Sequence, residues 1–297
     1  MPTDPRMPPH VIVPPVFGRR GALASVATVA LAALVASTRQ AQPRQPGVLR
    51  LGGTGMALAT MQQIGQAFVA TRPELRVNVL PSLGTAGGLA AVSEGAIDLS
   101  LSARTLNAAE DARGLRSLAY ARTPVAFVTH LALGVTGVTL PEVARILAGG
   151  IPAWPDGTLI RLVRREPSDA DWTMLRSLSP DMSAAVTTAL GRPGVLTVAT
   201  DQENADILER LPGSFGMMSI GQLRAETRGV MPLTLDGVAP DVGELVAGRY
   251  RLSRTLHAVW REPPMPDVAT FLAFLRGAQV SELLSRLGHI PLAGDLA

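Results

Sequence analysis

Two short segments that read as strands, residues 48–51 and 76–80, each lead into a glycine-bearing loop and then into a helical segment. Such a unit constrains the fold more than any other feature of this chain. After the first loop, Gly52-Gly53-Thr54-Gly55, the residues Leu58, Met61, Ile64 and Phe68 recur at helical spacing. After the second, Gly84-Thr85-Ala86-Gly87-Gly88, a helix is expected over 89–94. Further strands are expected over 97–101, 125–129, 159–163 and 196–199, the last two each with a helix after it. Pro141 suits the first turn of a helix that buries Val143, Ile146 and Leu147. Two C-terminal helices carry Val268, Phe271, Leu272 and Leu275, then Val280, Leu283, Leu284 and Leu287, and close at Gly288. Strands separated by helices predict an α/β fold with mostly parallel sheets.

The strand ends carry the chemistry. Glycines let a backbone approach a ligand, and a helix N-terminus offers unpaired N–H groups and partial positive charge, which together suit an oxyanion. That reading nominates Thr54, Gly55 and Met56 in the first loop and Gly84, Thr85 and Ala86 in the second. Turn chemistry alone is the usual account of either loop taken singly; it is the occurrence of both within 35 residues that raises the case for a shared anion site. Neither is a dinucleotide fingerprint, because Leu58 stands where the third glycine belongs. Ser102 and Arg104 follow the strand at 97–101 and make a candidate ligand rim; a surface arginine and a capping serine are the alternative. Arg165 precedes Ser168, Asp169 and Asp171, where an aspartate is expected to cap the next helix. Capping explains one of the two carboxylates.

Composition removes most other chemistries. The chain lacks cysteine, so disulfides, thiolate metal sites and cysteine nucleophiles are excluded. All 27 basic residues are arginine, which removes a Walker lysine and Schiff-base chemistry. No G-x-S-x-G or H-E-x-x-H pattern occurs among its 297 residues, and neither a metal nor another cofactor is expected. The formal charge of +3 resides in residues 1–42; beyond them, 23 arginines balance 23 acids. The globular part is therefore neutral, and no nucleic-acid partner is expected.

Residues 1–42 read as a signal peptide and leader. Arg19-Arg20 precedes an apolar run over 22–36, broken only by Ser25 and Thr28, and a polar exit follows. This is a secretory signal, with twin-arginine export as a variant. Fifteen residues at ~1.5 Å each fall short of a ~30 Å hydrocarbon core, which disfavours a permanent anchor. No clean small-residue cleavage site follows; Ala36 and Ala41 are the candidates.

The order of motifs resembles a family. Gly53-Thr54-Gly55, Gly84-Thr85-Ala86-Gly87-Gly88 and Ala96-Ile97-Asp98-Leu99-Ser100 with Ser102-Ala103-Arg104-Thr105-Leu106 come first. The run from Leu140 to Trp154, LPEVARILAGGIPAW, then Leu211-Pro212-Gly213-Ser214-Phe215-Gly216 and Gly248-Arg249-Tyr250-Arg251-Leu252-Ser253-Arg254 complete the set. Together they resemble the periplasmic solute-binding proteins of the phosphate ABC-transporter type, type II periplasmic binding proteins with a PBP-like domain. The resemblance implies a two-lobed fold with crossover hinge strands: lobe I over 47–124, lobe II over 125–250, and a return to lobe I over 251–297. It further implies a periplasmic, monomeric, non-enzymatic receptor that holds a small anionic solute between the lobes and hands it to ABC permease subunits. The membrane is then met only through the transporter or an uncleaved leader. Where the family reads R-x-x-G-S-G-T, this chain has Arg165-Glu166-Pro167-Ser168-Asp169-Ala170-Asp171, so aspartates replace the hydroxyl residues unless a one-residue gap brings Ser168 into register. Two carboxylates near a dianion each repel it by roughly 4 kcal/mol per unit of its charge at 4 Å and an effective dielectric near 20, which puts phosphate itself in question. The other readings are a sensor or orphan binding module of the same fold, and an exported hydrolase using Asp169 or Asp171 as general base.

Overall fold

The computed structural model describes residues 47–292; the leader expected over 1–42 and the last five residues of the return segment lie outside them. The elements run β1 (Val48–Gly53), α1 (Leu58–Thr71), β2 (Arg76–Val79), α2 (Gly84–Ser93), β3 (Leu99–Ser102), α3 (Ala108–Asp111), β4 (Leu115–His130) and β5 (Gly137–Val138). Next come α4 (Leu140–Ala148), β6 (Arg161–Arg165), α5 (Ala170–Arg176), α6 (Pro180–Gly191), β7 (Leu196–Val198), α7 (Asp201–Arg210), β8 (Ser214–Ser219) and α8 (Ile220–Glu226). The chain closes with β9 (Val230–Pro232), β10 (Thr234–Leu235), α9 (Val242–Val246), β11 (Ser253–Arg261), α10 (Pro266–Leu275), α11 (Ala278–Arg286) and β12 (Ile290–Pro291). No helix among the described residues is long and apolar enough to cross a membrane.

The principal strand order is β2-β1-β3-β11-β4-β8-β6-β7. Its flanks are parallel: β1 lies between β2 and β3, and β6 lies between β7 and β8. The flanks show the parallel pairing expected, while the centre of the sheet is antiparallel. The first part of β4 pairs with β11, while residues 125–129 pair with β8. One strand thus serves both halves of the sheet. Direct returns between lobes need no helical crossover, so they arrive antiparallel. The strand expected over 125–129 is accordingly the distal part of β4, which begins at Leu115.

Two apolar cores flank that crossing. The first lobe gathers Leu51 and Leu101 from the strands, Met61, Ile64 and Phe68 from α1, and Phe271 and Leu284 from the C-terminal helices. Phe68 and Phe271 meet edge to face at 5.0 Å between centroids. The second lobe packs Phe127, Trp154, Leu175, Val186 and Phe215, with Phe127 stacked on Phe215 at 5.5 Å. Where the chain passes between lobes, Val125 N donates to Leu252 O at 3.0 Å, and Tyr250 Oη donates to Val125 O at 2.7 Å. The Gly248–Arg254 motif therefore fastens the return segment to the outgoing strand.

The second glycine loop is largely helix. Gly84 opens α2, five residues before the expected start. Glycine costs about 1 kcal/mol against alanine in a helix. Here Gly88 packs so closely on Gly53 Cα that no Cβ fits, and tertiary approach outweighs propensity.

Candidate functional site

The ends of β1, β3, β6 and β7 and the loop after β2 converge on a cavity of about 550 Å³ between the lobes. This is where an α/β sheet presents loops and helix N-termini to a ligand. One wall is Thr54, Met56, the 82–87 segment, Ala103 and Arg104. The other is Arg165, Glu166, Ser168, Asp169, Ala170, Asp171, Thr173 and residues 199–201, with Arg254 from β11.

Thr54, Met56, Gly84, Thr85, Ala86, Arg104, Arg165, Ser168, Asp169 and Asp171 all lie on this one surface. Gly55 and Ser102 do not line it. Ser102 is fully buried, and its hydroxyl is engaged by its own turn, donating to Arg104 O at 2.6 Å and accepting from Arg104 N at 3.2 Å. Gly55 is covered by α7: Gln202 Nε2 donates to its carbonyl at 3.0 Å. Arg104 reaches the wall but gives two hydrogen bonds to Glu110, at 2.8 and 2.7 Å. Thr85 Oγ1 accepts from Ala103 N at 3.2 Å and so ties the start of α2 to the end of β3.

Charge is concentrated on the second lobe's side. Arg165 donates from Nε to Asp169 at 2.9 Å, and its Nη2 lies 3.4 Å from Asp201 Oδ1. Its Nη1 is buried and has no partner among the described residues. Burial works against the guanidinium charge, yet Asp201 and Asp169 outweigh it and raise the pKa of Arg165. Asp169 also caps α5, accepting from Asp171 N at 2.9 Å. Asp171 is held by Arg254, whose Nη2 donates at 2.7 Å. Burial first, and then the neighbouring Asp169, push the Asp171 carboxyl up to about 6 against the pull of Arg254. The two aspartates thus have separate partners, a helix terminus with Arg165 for one and Arg254 for the other.

Sequence reasoning missed Asp201 and Arg254. Asp201 starts α7, and its Oδ2 accepts from Met56 N at 3.0 Å and from Thr54 Oγ1 at 3.4 Å. A carboxylate therefore rests on the first glycine loop. Burial raises its pKa, with Asp169 adding repulsion, while Arg165 and the loop amides act in the opposite direction. Its signal was the strand–helix junction itself, since Thr200-Asp201-Gln202-Glu203 follows β7 as Thr54-Gly55 follows β1. The N-terminus of α2 faces the cavity: Leu83 gives it no side-chain cap, Gly84 N donates at 3.4 Å to Ser82 Oγ, and Gly84 to Gly87 line the cavity.

A family model described as a PBP superfamily domain matches residues 40–278. The phosphate-binding protein PstS of Bacillus subtilis is 21% identical over 266 residues, which is 86% of this chain and 85% of that protein. Among solved structures, a substrate-binding protein of Clostridium perfringens assigned to a phosphate ABC transporter, with phosphate bound, is similar at a TM-score of 0.70 and 18% identity, covering 82% of this chain and 99% of that one. The periplasmic molybdate-binding protein of Azotobacter vinelandii is similar at a TM-score of 0.59 and 12% identity, covering 82% of this chain and 98% of that one. At these identities the structural likenesses establish the fold.

Proposed function

Because this chain belongs to the PBP superfamily, we propose that it is an exported receptor that captures a small oxyanion, phosphate or a relative, between its lobes for the permease of an ABC transporter. The observation that carries this reading is the cavity of about 550 Å³, whose two walls bring the start of α2 opposite Arg165. Backbone amides at a helix N-terminus and a guanidinium are complementary to an oxyanion. Relatives named for phosphate and molybdate support the same ligand class. The cavity exceeds what one such anion fills, so capture involves closure about the strands near Val125 and Leu252. In this reading residues 47–124 and 251–297 move as one body and 125–250 as the other.

Binding without turnover fits the aspartates better than hydrolysis does. Asp169 already accepts from Arg165 and from the amide of Asp171, so neither oxygen is idle as a base. Export follows from the leader at 1–42 and places the receptor in the periplasm. A second reading is favoured by one observation: Asp169, Asp171 and Asp201 all face the cavity, which suits a solute that carries an amine. Calorimetry of the ligand-stripped protein against phosphate, sulfate, molybdate and amino-acid panels separates the two. Micromolar phosphate binding that weakens in Arg165→Ala supports the oxyanion reading. Binding of cationic solutes alone overturns it.

A further inference from the structure

The geometry points to Asp201 as a built-in competitor of the solute: its carboxylate sits on the first glycine loop as a resident anion, and an oxyanion gains that loop only by displacing it. The inference rests on the receptor reading above and concerns the same site.

Two donor types are expected to hold an oxyanion here, the amides of the first loop and the guanidinium of Arg165. Asp201 meets both at once. Its Oδ2 accepts from Met56 N and Thr54 Oγ1, at 3.0 and 3.4 Å, and its Oδ1 lies 3.4 Å from Arg165 Nη2. The contact also bridges the lobes, because Thr54 and Met56 belong to the first lobe and α7 packs in the second. The next residue, Gln202, makes a parallel bridge to Gly55 O at 3.0 Å.

The carboxylate is presented by a firm support. A capping box fixes the start of α7, with Thr200 accepting from Glu203 N at 3.1 Å and Glu203 accepting from Thr200 N at 3.2 Å. A side chain at the first helical position is thereby aimed across the cleft rather than left to wander. The second glycine segment differs: the start of α2 has no such occupant and stays open to the cavity. A dianion approaching the first loop would meet Asp201 at close range, with Asp169 beside it on Arg165. Repulsion and competition for the same N–H groups act together, so the latch lowers affinity and admits only solutes able to replace it.

Two measurements on the full exported chain test this, with Asp201→Asn and Asp201→Ala as variants. Small-angle scattering without solute reads the latch, and calorimetry with inorganic phosphate reads the competition. A latch engaged in about nine molecules of ten predicts phosphate binding about tenfold tighter in Asp201→Ala. The neutral Asn variant, which keeps an acceptor oxygen, falls between. The solute-free Ala variant is expected to show a larger radius of gyration than the unsubstituted protein. Equal or weaker phosphate binding in both variants, with unchanged scattering, overturns the inference and leaves the receptor reading intact. Expanded scattering with no anion bound by any form supports the latch and overturns the oxyanion receptor instead.

Discussion

The lobes meet at two places of opposite chemistry, the hinge side and the cleft mouth. On the hinge side the contacts are neutral. Thr123 Oγ1 accepts from Gly221 N at 2.9 Å and donates to Gly288 O at 3.1 Å. His289, hydrogen-bonded through Nε2 to Thr60 Oγ1 of its own lobe at 3.0 Å, brings its ring so close to Gly221 of the other lobe that a Cβ there would overlap it. At the mouth carboxylates reach across: Asp201, paired with Arg165 of its own lobe, accepts from Met56 N, and Asp171 pairs with Arg254. Close packing of neutral groups has no substitute in solution, whereas a carboxylate on an amide can be exchanged for a solute's oxygen. Under the proposed closure, the difference teaches where the molecule would part: it would pivot where contacts are irreplaceable and open where they can be traded.

The largest expected effect breaks the mouth. Arg165→Ala leaves Asp169 and Asp201 facing each other without their shared cation, and removing one partner of a buried ion pair costs about 3 kcal/mol or more. Denaturant unfolding should show that loss, and calorimetry should show weakened phosphate binding. Undiminished phosphate binding would remove Arg165 from the site. Next in size, Gly221→Ala attacks the hinge. Overpacking against the His289 ring is expected to cost about 2 kcal/mol and to lower the thermal midpoint.

Acid sharpens the comparison, because the two regions respond with opposite sign. His289 is buried, and burial, with the nearby Arg224, holds its pKa down to about 4; Thr60 and Gly221 are its other close neighbours. Stability from the neutral ring is complete above about pH 6.5 and is lost as pH falls through about 4. Asp171 behaves in reverse. Its pKa of about 6 means that the folded protein binds a proton between about pH 6 and 4 that the unfolded chain lacks, so its contribution grows as pH falls through that window. Asp169, Asp201, Arg254 and Arg165 are the charges that face it. The unsubstituted protein is expected to show a shallow profile of unfolding free energy between pH 7 and 4. Asp171→Asn should steepen its acid loss, and His289→Asn should turn that loss into a gain. Parallel profiles in all three would refute the opposition. The smallest effect belongs to Gln202→Ala, which removes one bridging hydrogen bond worth about 1 kcal/mol and should loosen the solute-free scattering envelope only slightly.

Much of the site's wall was legible because it is built at strand ends. Thr54, Thr85, Arg165 and Asp169 were each nominated from a few neighbouring residues, and folding brings them to one cavity. Ser102 looked equivalent, but its hydroxyl is used by the turn at Arg104, a competition that a residue pattern does not display. Arg254 was visible within a motif, yet its partner Asp171 lies 83 residues earlier, and nothing local links them. Asp201 has the right local setting, but Thr200-Asp201-Gln202-Glu203 is equally the pattern of an ordinary helix start.

By itself, the sequence determined the strand–helix alternation, the helix starts that carry their own caps and the chemistry that the chain lacks. Those features arise from periodicity, caps and composition, which act over a few residues. The capping boxes at Thr139 and Thr200 are of this kind. Only the tertiary structure decided that the first glycine loop faces Asp201 while the second faces open space. That outcome depends on the long β4 strand, which carries one core on each side of Pro124 and so sets how two separately packed lobes confront each other. Contacts across such a cleft follow from the placement of whole lobes, and no short stretch of residues encodes that placement.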